Sequence, residues 1–155
     1  MNTSKTATSD QSVQGRAGCG SLNVMFDLYL DAASNTTVAF SAEHLDVIIR
    51  AAITKSGMTL RKSFTDAWKS ESEGPASLFY SLEESHVRIE TWPEEHHVQG
   101  EVQLCNYSKD NAEAARRLAE SVIKALNPAA TSILAISRGP GPDILVQESV
   151  RRKRR

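Results

Sequence analysis

The sequence predicts an α+β fold: a two-layer α/β sandwich, with an antiparallel sheet carrying two helices on one face. Three observations lead there. Several runs alternate apolar and polar residues with the period of two that marks a half-buried strand. Two longer segments repeat their apolar residues at helical spacing. The strand-like runs outnumber the helical ones in the order β-α-β-β-β-β-α-β, and strands joined by short links pair antiparallel. No internal repeat of the solenoid kind is present.

The first strand is predicted from Leu22, Val24, Phe26, Leu28 and Leu30, which alternate with Asn23, Met25, Asp27 and Tyr29. Ser41 can cap a helix whose stripe is Leu45, Ile48, Ile49, Ala52 and Ile53, and Gly57 stands where a C-terminal cap belongs. A second strand is expected from Met58 to about Trp68. Lys69 to Ala76 is a polar loop broken by Gly74-Pro75. Ser77 to Leu82 and Ser85 to Trp92 form a hairpin-like pair around Glu83-Glu84. Val98 to Cys105 alternates again. The second helix carries Ala115, Leu118, Ala119, Val122, Ile123 and Leu126, with Ser108 or Asp110 as its cap and Asn127-Pro128 as its stop. Thr131 to Ser137 is the last apolar strand. A weak strand is expected at Ile144 to Val146, after the breaker Gly139-Pro140-Gly141-Pro142.

The chain has 155 residues, 40% hydrophobic and 24% charged, enough for one domain with a real core. The expected organisation is a flexible tail over residues 1–20, one domain over 21–147, and a basic tail over 148–155. No apolar run has the length of a membrane span, and the first residues lack a signal peptide's apolar stretch. Cys19 and Cys105 suggest no disulfide framework, so a reduced, cytoplasmic protein is expected. The formal net charge is -1, yet five cations, Arg151, Arg152, Lys153, Arg154 and Arg155, end the chain. The body is therefore acidic. A basic end of this kind is usually solvated, and nucleic acid is not an expected partner. His96-His97 point to opposite faces if they lie on a strand, and no further Cys or His stands at ligand spacing, so no metal is expected.

The chemistry concentrates between Ser77 and Cys105. On a strand from Ser85 to Trp92, His86, Arg88, Glu90 and Trp92 share one face, and so many polar groups mean that this face is wet or lines a site. An edge hairpin with a solvated face accounts for that pattern alone. The spaced set is more specific: Ser77, then Glu84-Ser85-His86, then Ile89-Glu90-Thr91-Trp92-Pro93-Glu94, then Cys105 at the end of the next strand. It resembles the self-cleavage segment of the bacterial and archaeal S-adenosylmethionine decarboxylase proenzymes. Asp27 in the first strand is also similar.

The resemblance implies that the chain cuts itself between Glu84 and Ser85, and that Ser85 becomes a pyruvoyl cofactor. The Ser85 hydroxyl would attack the Glu84 carbonyl to give an ester. Loss of the Ser85 α-proton would then break that ester. The resemblance makes Ser77 the donor to the developing oxyanion, Glu90 a processing residue and Cys105 the proton donor of decarboxylation. A thiol with a pKa of about 8.5 can give up a proton near neutrality. Asp27, Trp92 and Glu94 are the substrate contacts the resemblance implies; Glu73 in the acidic loop before Ser77 and a nearby ring, Trp68 with Phe64 and Tyr80 as alternatives, are expected to join them. A homodimer with its sheets brought together across the interface is implied as well.

Two positions depart from the family pattern. Where the family has Ile-His-Thr-Trp-Pro-Glu, this chain has Glu90, a carboxylate with an ordinary pKa of about 4.3. The loop before Ser77, Ser70 to Pro75, lacks the aromatic ring that stacks on adenine in members binding S-adenosylmethionine. S-adenosylmethionine is the first substrate expected. Arginine or ornithine, decarboxylated by some relatives, would suit an acidic loop, and an uncut binding or regulatory homologue is the third reading.

Overall fold

The computed structural model describes residues 20–32, 40–68 and 74–139, and the backbone of 144–153. The expected N-terminal tail (save Gly20), Cys19, Glu73, the loop around it, and Pro140 to Pro142 lie outside the described residues.

The chain forms a seven-stranded, wholly antiparallel sheet with two helices packed on one face. The elements are β1 (Ser21–Tyr29), α1 (Ala42–Ser56), β2 (Leu60–Ala67), β3 (Ala76–Leu82), β4 (Ser85–Trp92), β5 (His97–Cys105), α2 (Ala112–Leu126), β6 (Ala130–Arg138) and β7 (Ile144–Lys153). A single 3-10 turn, Pro93–Glu95, joins β4 to β5. The strand order is β2-β3-β4-β5-β1-β6-β7, so the first strand is inserted between β5 and β6. The α+β sandwich expected from the alternation is the observed architecture.

The core lies between sheet and helices. The register sets Val87 opposite Val102, Val102 opposite Val24, and Val24 opposite Ala135, a buried row across four strands. Above it sit Leu45, Ile49, Ala52 and Ile53 of α1 and Ala115, Leu118, Ala119 and Val122 of α2. Burying each of the Val, Leu and Ile side chains contributes about 1.5–3 kcal/mol. Gly100, in the next row, lets Phe26 lie across β5: a Cβ at Gly100 would stand 2.1 Å from that ring. Tyr80 ties the layers together, its hydroxyl donating to Asp46 of α1 at 2.9 Å. Burial and this hydrogen bond push the Tyr80 phenol far above its ordinary range.

The helix ends follow their sequence signals in part. Ser41 accepts a hydrogen bond from the His44 N–H at 3.1 Å, and Gly57 closes α1 with a φ of 80°. For α2 the expectation is corrected. The N-cap is Asn111, whose side chain makes no capping bond. Asp110 accepts from the Ala112 N–H, while Ser108 is drawn away toward Glu84. Asn127 ends the helix in the left-handed conformation.

The end of the chain is a second correction. The strand expected to stop at Val146 runs to Lys153, pairing Arg151 with Ser132 and Lys153 with Ala130. An edge strand is held by main-chain hydrogen bonds, which a basic run can make as well as an apolar one. No helix among the described residues is long and apolar enough to cross a membrane.

Candidate active site

The two-residue link Glu83-Glu84 joins β3 to β4, with Leu82 opposite Ser85. Ser85 has a φ of 114°, a region that residues with a side chain rarely enter. Such a conformation costs on the order of 1–3 kcal/mol and persists only where the surroundings impose it. Regular pleating would put Ser85, the partner of Leu104, on the face opposite Cys105. The positive φ takes Ser85 out of the pleat, and its hydroxyl lies 2.9 Å from the free Cys105 thiol.

The bond before Ser85 is held as tightly. The Cys105 main-chain N–H donates to the Glu84 carbonyl at 3.1 Å. The Glu84 carboxylate accepts from the Ser108 N–H at 3.3 Å, from the Ser108 hydroxyl, and from Asn111 Nδ2 at 2.6 Å. These donors, the Ser108 hydroxyl foremost, hold the Glu84 carboxyl below its ordinary range. The same Asn111 amide donates to the Cys105 carbonyl at 2.7 Å. One peptide bond therefore has a hydroxyl next to it, a donor on its carbonyl and a thiol in contact with that hydroxyl.

Other expected site residues gather elsewhere. Ser77 pairs with Glu90, Glu90 with Gln99, and Gln99 with Asp27, one row across four strands. Trp92 and Trp68 meet edge to face with centroids 6.0 Å apart, and Glu94 is exposed in the 3-10 turn. Glu90 lies five steps along β4 from Ser85, which is roughly 17 Å at 3.4 Å per residue. The structure thus brings together Glu84, Ser85 and Cys105 at one end of the hairpin, and Ser77, Glu90, Asp27, Trp68, Trp92 and Glu94 towards the other.

The helix-free face of the sheet connects the two ends. Arg88 sits between Glu90 and Glu101, 3.5 Å from each. Asn23 donates to Glu101 at 2.7 Å. His97 stacks on Tyr29 and meets Asp27 at 2.9 Å, while Gln99 donates to the same carboxylate at 3.2 Å. A groove of about 290 Å³ runs along this face past Asp27, Arg88, Gln99 and Glu101. His96 turns in a left-handed conformation, and no group of three or more possible metal ligands occurs among the described residues.

Ser108, Asn111 and the Cys105 main-chain donor were not foreseen from sequence as parts of the site. The first two reach Glu84 only because the loop after β5 folds back over the β3–β4 turn. A main-chain donor leaves no residue-type signal at all.

No curated protein matches this chain. Among solved structures, the adenosylmethionine decarboxylase from Aquifex aeolicus superposes with a TM-score of 0.63 at 24% identity, covering 85% of this chain and 97% of that one. At that identity the likeness speaks for the fold. A phage SAM lyase in complex with S-methyl-5'-thioadenosine aligns with a TM-score of only 0.37 at 12% identity, over 92% of this chain and 97% of that one, and no argument rests on it. A family model described as S-adenosylmethionine decarboxylase matches residues 24–139, three quarters of the sequence. The chain belongs to the S-adenosylmethionine decarboxylase family.

Proposed function

We propose that this chain cleaves itself between Glu84 and Ser85, converts Ser85 to a pyruvoyl group and decarboxylates S-adenosylmethionine. The observation that carries the reading is the Ser85 hydroxyl at a strained residue, 2.9 Å from the Cys105 thiol, beside a Glu84 carbonyl already held by the Cys105 N–H. The Ser85 oxygen attacks that carbonyl carbon, and the Cys105 N–H stabilises the charge that develops on the carbonyl oxygen. The C–N bond breaks, the Ser85 nitrogen gains a proton, and an ester replaces the peptide. Removal of the Ser85 α-proton expels the Glu84 carboxylate. Water then replaces the nitrogen of the dehydroalanine with oxygen, releasing ammonia.

Those residues fit the group: its future carbon atoms sit at the end of β4 within reach of a thiol, and relief of the Ser85 strain accompanies its formation. A pyruvoyl ketone supplies an electron sink for the pair released when carbon dioxide leaves an amino acid bound to it. Cys105 holds the proton that returns to the substrate carbon. The sulfonium and ammonium charges of S-adenosylmethionine suit the carboxylates of the open face, Asp27, Glu90 and Glu101. Trp68, Trp92 and Glu94, with Glu73, complete the proposed substrate contacts.

Ser77 and Glu90 can serve Ser85 only from a second copy, because roughly 17 Å separates them within one chain. The proposal therefore includes a homodimer in which open sheet faces meet and the two ends of the hairpin come together between copies. A non-catalytic reading has one supporting observation: Glu90, which stands where the family has its processing histidine, lies 3.5 Å from the Arg88 guanidinium and is engaged in an ion pair.

Intact mass spectrometry of the purified full-length chain tests the reading. Two fragments, 1–84 and 85–155, are expected, the second beginning with a carbonyl in place of an amine. A chain that stays whole after long incubation rejects self-processing. Carbon dioxide release from S-adenosylmethionine, arginine and ornithine, measured in parallel, then tests the substrate, and release from the amino acids alone overturns it.

A further inference from the structure

The turn that precedes Ser85 is gripped from outside by residues 106–111, and the grip is costly in a way that local folding does not explain. Asn111 is wholly buried, and its Oδ1 has no hydrogen-bond partner. An unpaired buried amide oxygen costs stability. Turning the amide over would face that oxygen with the Glu84 carboxylate and the Cys105 carbonyl, replacing two attractions with two repulsions. The orientation is therefore dictated by Glu84 and Cys105. Asn111 is itself held, its N–H donating to Asn106 Oδ1 at 2.9 Å. It begins α2, whose N-terminal partial charge favours a carboxylate nearby. Ser108 adds two more donors to the same carboxylate from an exposed loop position.

We infer that Ser108 and Asn111 are positioning residues for self-cleavage, acting through the Glu84 side chain and the Cys105 carbonyl to hold the Glu84-Ser85 bond in its reactive shape. Neither touches the bond that breaks. Released from the grip, the Glu84 side chain can rotate, the turn can relax, and Ser85 can leave its positive φ. The nucleophile then loses its approach to the carbonyl, and small losses of alignment cost a large factor in rate. This inference rests on the self-processing reading above.

The test uses full-length Ser108→Ala, Ser108→Thr, Asn111→Ala, Glu84→Gln and the double variant Ser108→Ala/Glu84→Gln. Appearance of the 85–155 fragment is timed by intact mass, and folding is checked by urea unfolding. Ser108→Ala is expected to slow cleavage roughly tenfold, the effect of one hydrogen bond to a charged group. Ser108→Thr, which keeps the hydroxyl, restores most of the rate. The losses of Ser108→Ala and Glu84→Gln fall well short of adding in the double variant, because both remove the same contact. Asn111→Ala slows cleavage further. Should that variant fail to fold, Ser108→Ala, on the surface, still decides. Cleavage of Ser108→Ala at the wild-type rate overturns the inference, as do losses that add in full. A wild-type chain that never cuts overturns the self-processing reading and this inference with it. A wild type that cuts beside an unaffected Ser108→Ala overturns the inference alone.

Discussion

Cys105 offers two different groups to the same site, and they can be separated by mutation. Its main-chain N–H reaches the Glu84 carbonyl, and its thiol reaches the Ser85 hydroxyl. Cys105→Ala keeps the first and removes the second. Fragment formation is therefore expected to survive, while carbon dioxide release falls by about 10²–10⁴-fold, the usual worth of a positioned proton donor. Loss of cleavage in a folded Cys105→Ala chain would mean that the thiol, not the main chain, serves the processing step. Glu84 gives a pH prediction. Its carboxyl is held below the ordinary value of about 4.3, chiefly by the Ser108 hydroxyl. A lowered folded pKa means stabilisation that is whole above the ordinary value and lost as pH falls through the lowered one. The group is only partly buried, so the contribution is small. In an uncut Ser85→Ala background, Glu84→Gln is expected to flatten the acid limb of urea midpoint against pH, and an unchanged limb refutes the assignment. At this scale the family resemblance pointed to Glu84, Ser85 and Cys105, and the structure brings these three together. The resemblance did not show that Ser77 and Glu90 stand at the far end of β4 from Ser85. A spacing of residues says nothing of distance until the register is known.

Among the elements, β5 carries the sharpest packing constraint. Gly100 faces the Phe26 ring so closely that any side chain there displaces it. Gly100→Ala is expected to destabilise the fold by about 1–3 kcal/mol, read as a lower urea midpoint with an unchanged slope. An unchanged midpoint would mean that β1 and β5 separate easily, against their nine-residue register. Periodicity made the two helices and the strands β1, β3, β4 and β5 legible, since each buries one face. It shortened β7, because a run such as Val150-Arg151-Arg152-Lys153 has the composition of a solvated tail and the hydrogen bonds of an edge strand. It also misplaced the start of α2. Ser108 has the residue type of a cap, and only the fold reveals that its donors are turned to Glu84.

For the molecule as a whole, the separation of the two groups of site residues makes the proposed homodimer testable. Co-expressed Ser85→Ala and Ser77→Ala chains are expected to restore cleavage of the Ser77→Ala chain, because a mixed dimer unites an intact Ser85 with an intact Ser77. Cleavage that stays at the rate of Ser77→Ala alone would exclude a site shared between copies. The strand order carries one more consequence. A break after Glu84 leaves β1, α1, β2 and β3 in one piece and β4, β5, α2, β6 and β7 in the other. Because β1 lies between β5 and β6, these pieces meet along three seams, β3–β4, β5–β1 and β1–β6. They are interleaved like the fingers of two hands. Dilution cannot part them, since release of β1 requires the sheet itself to come open. The severed protein would migrate as one particle in native conditions and as two in denaturant, and the lifetime of the pair would be that of the fold.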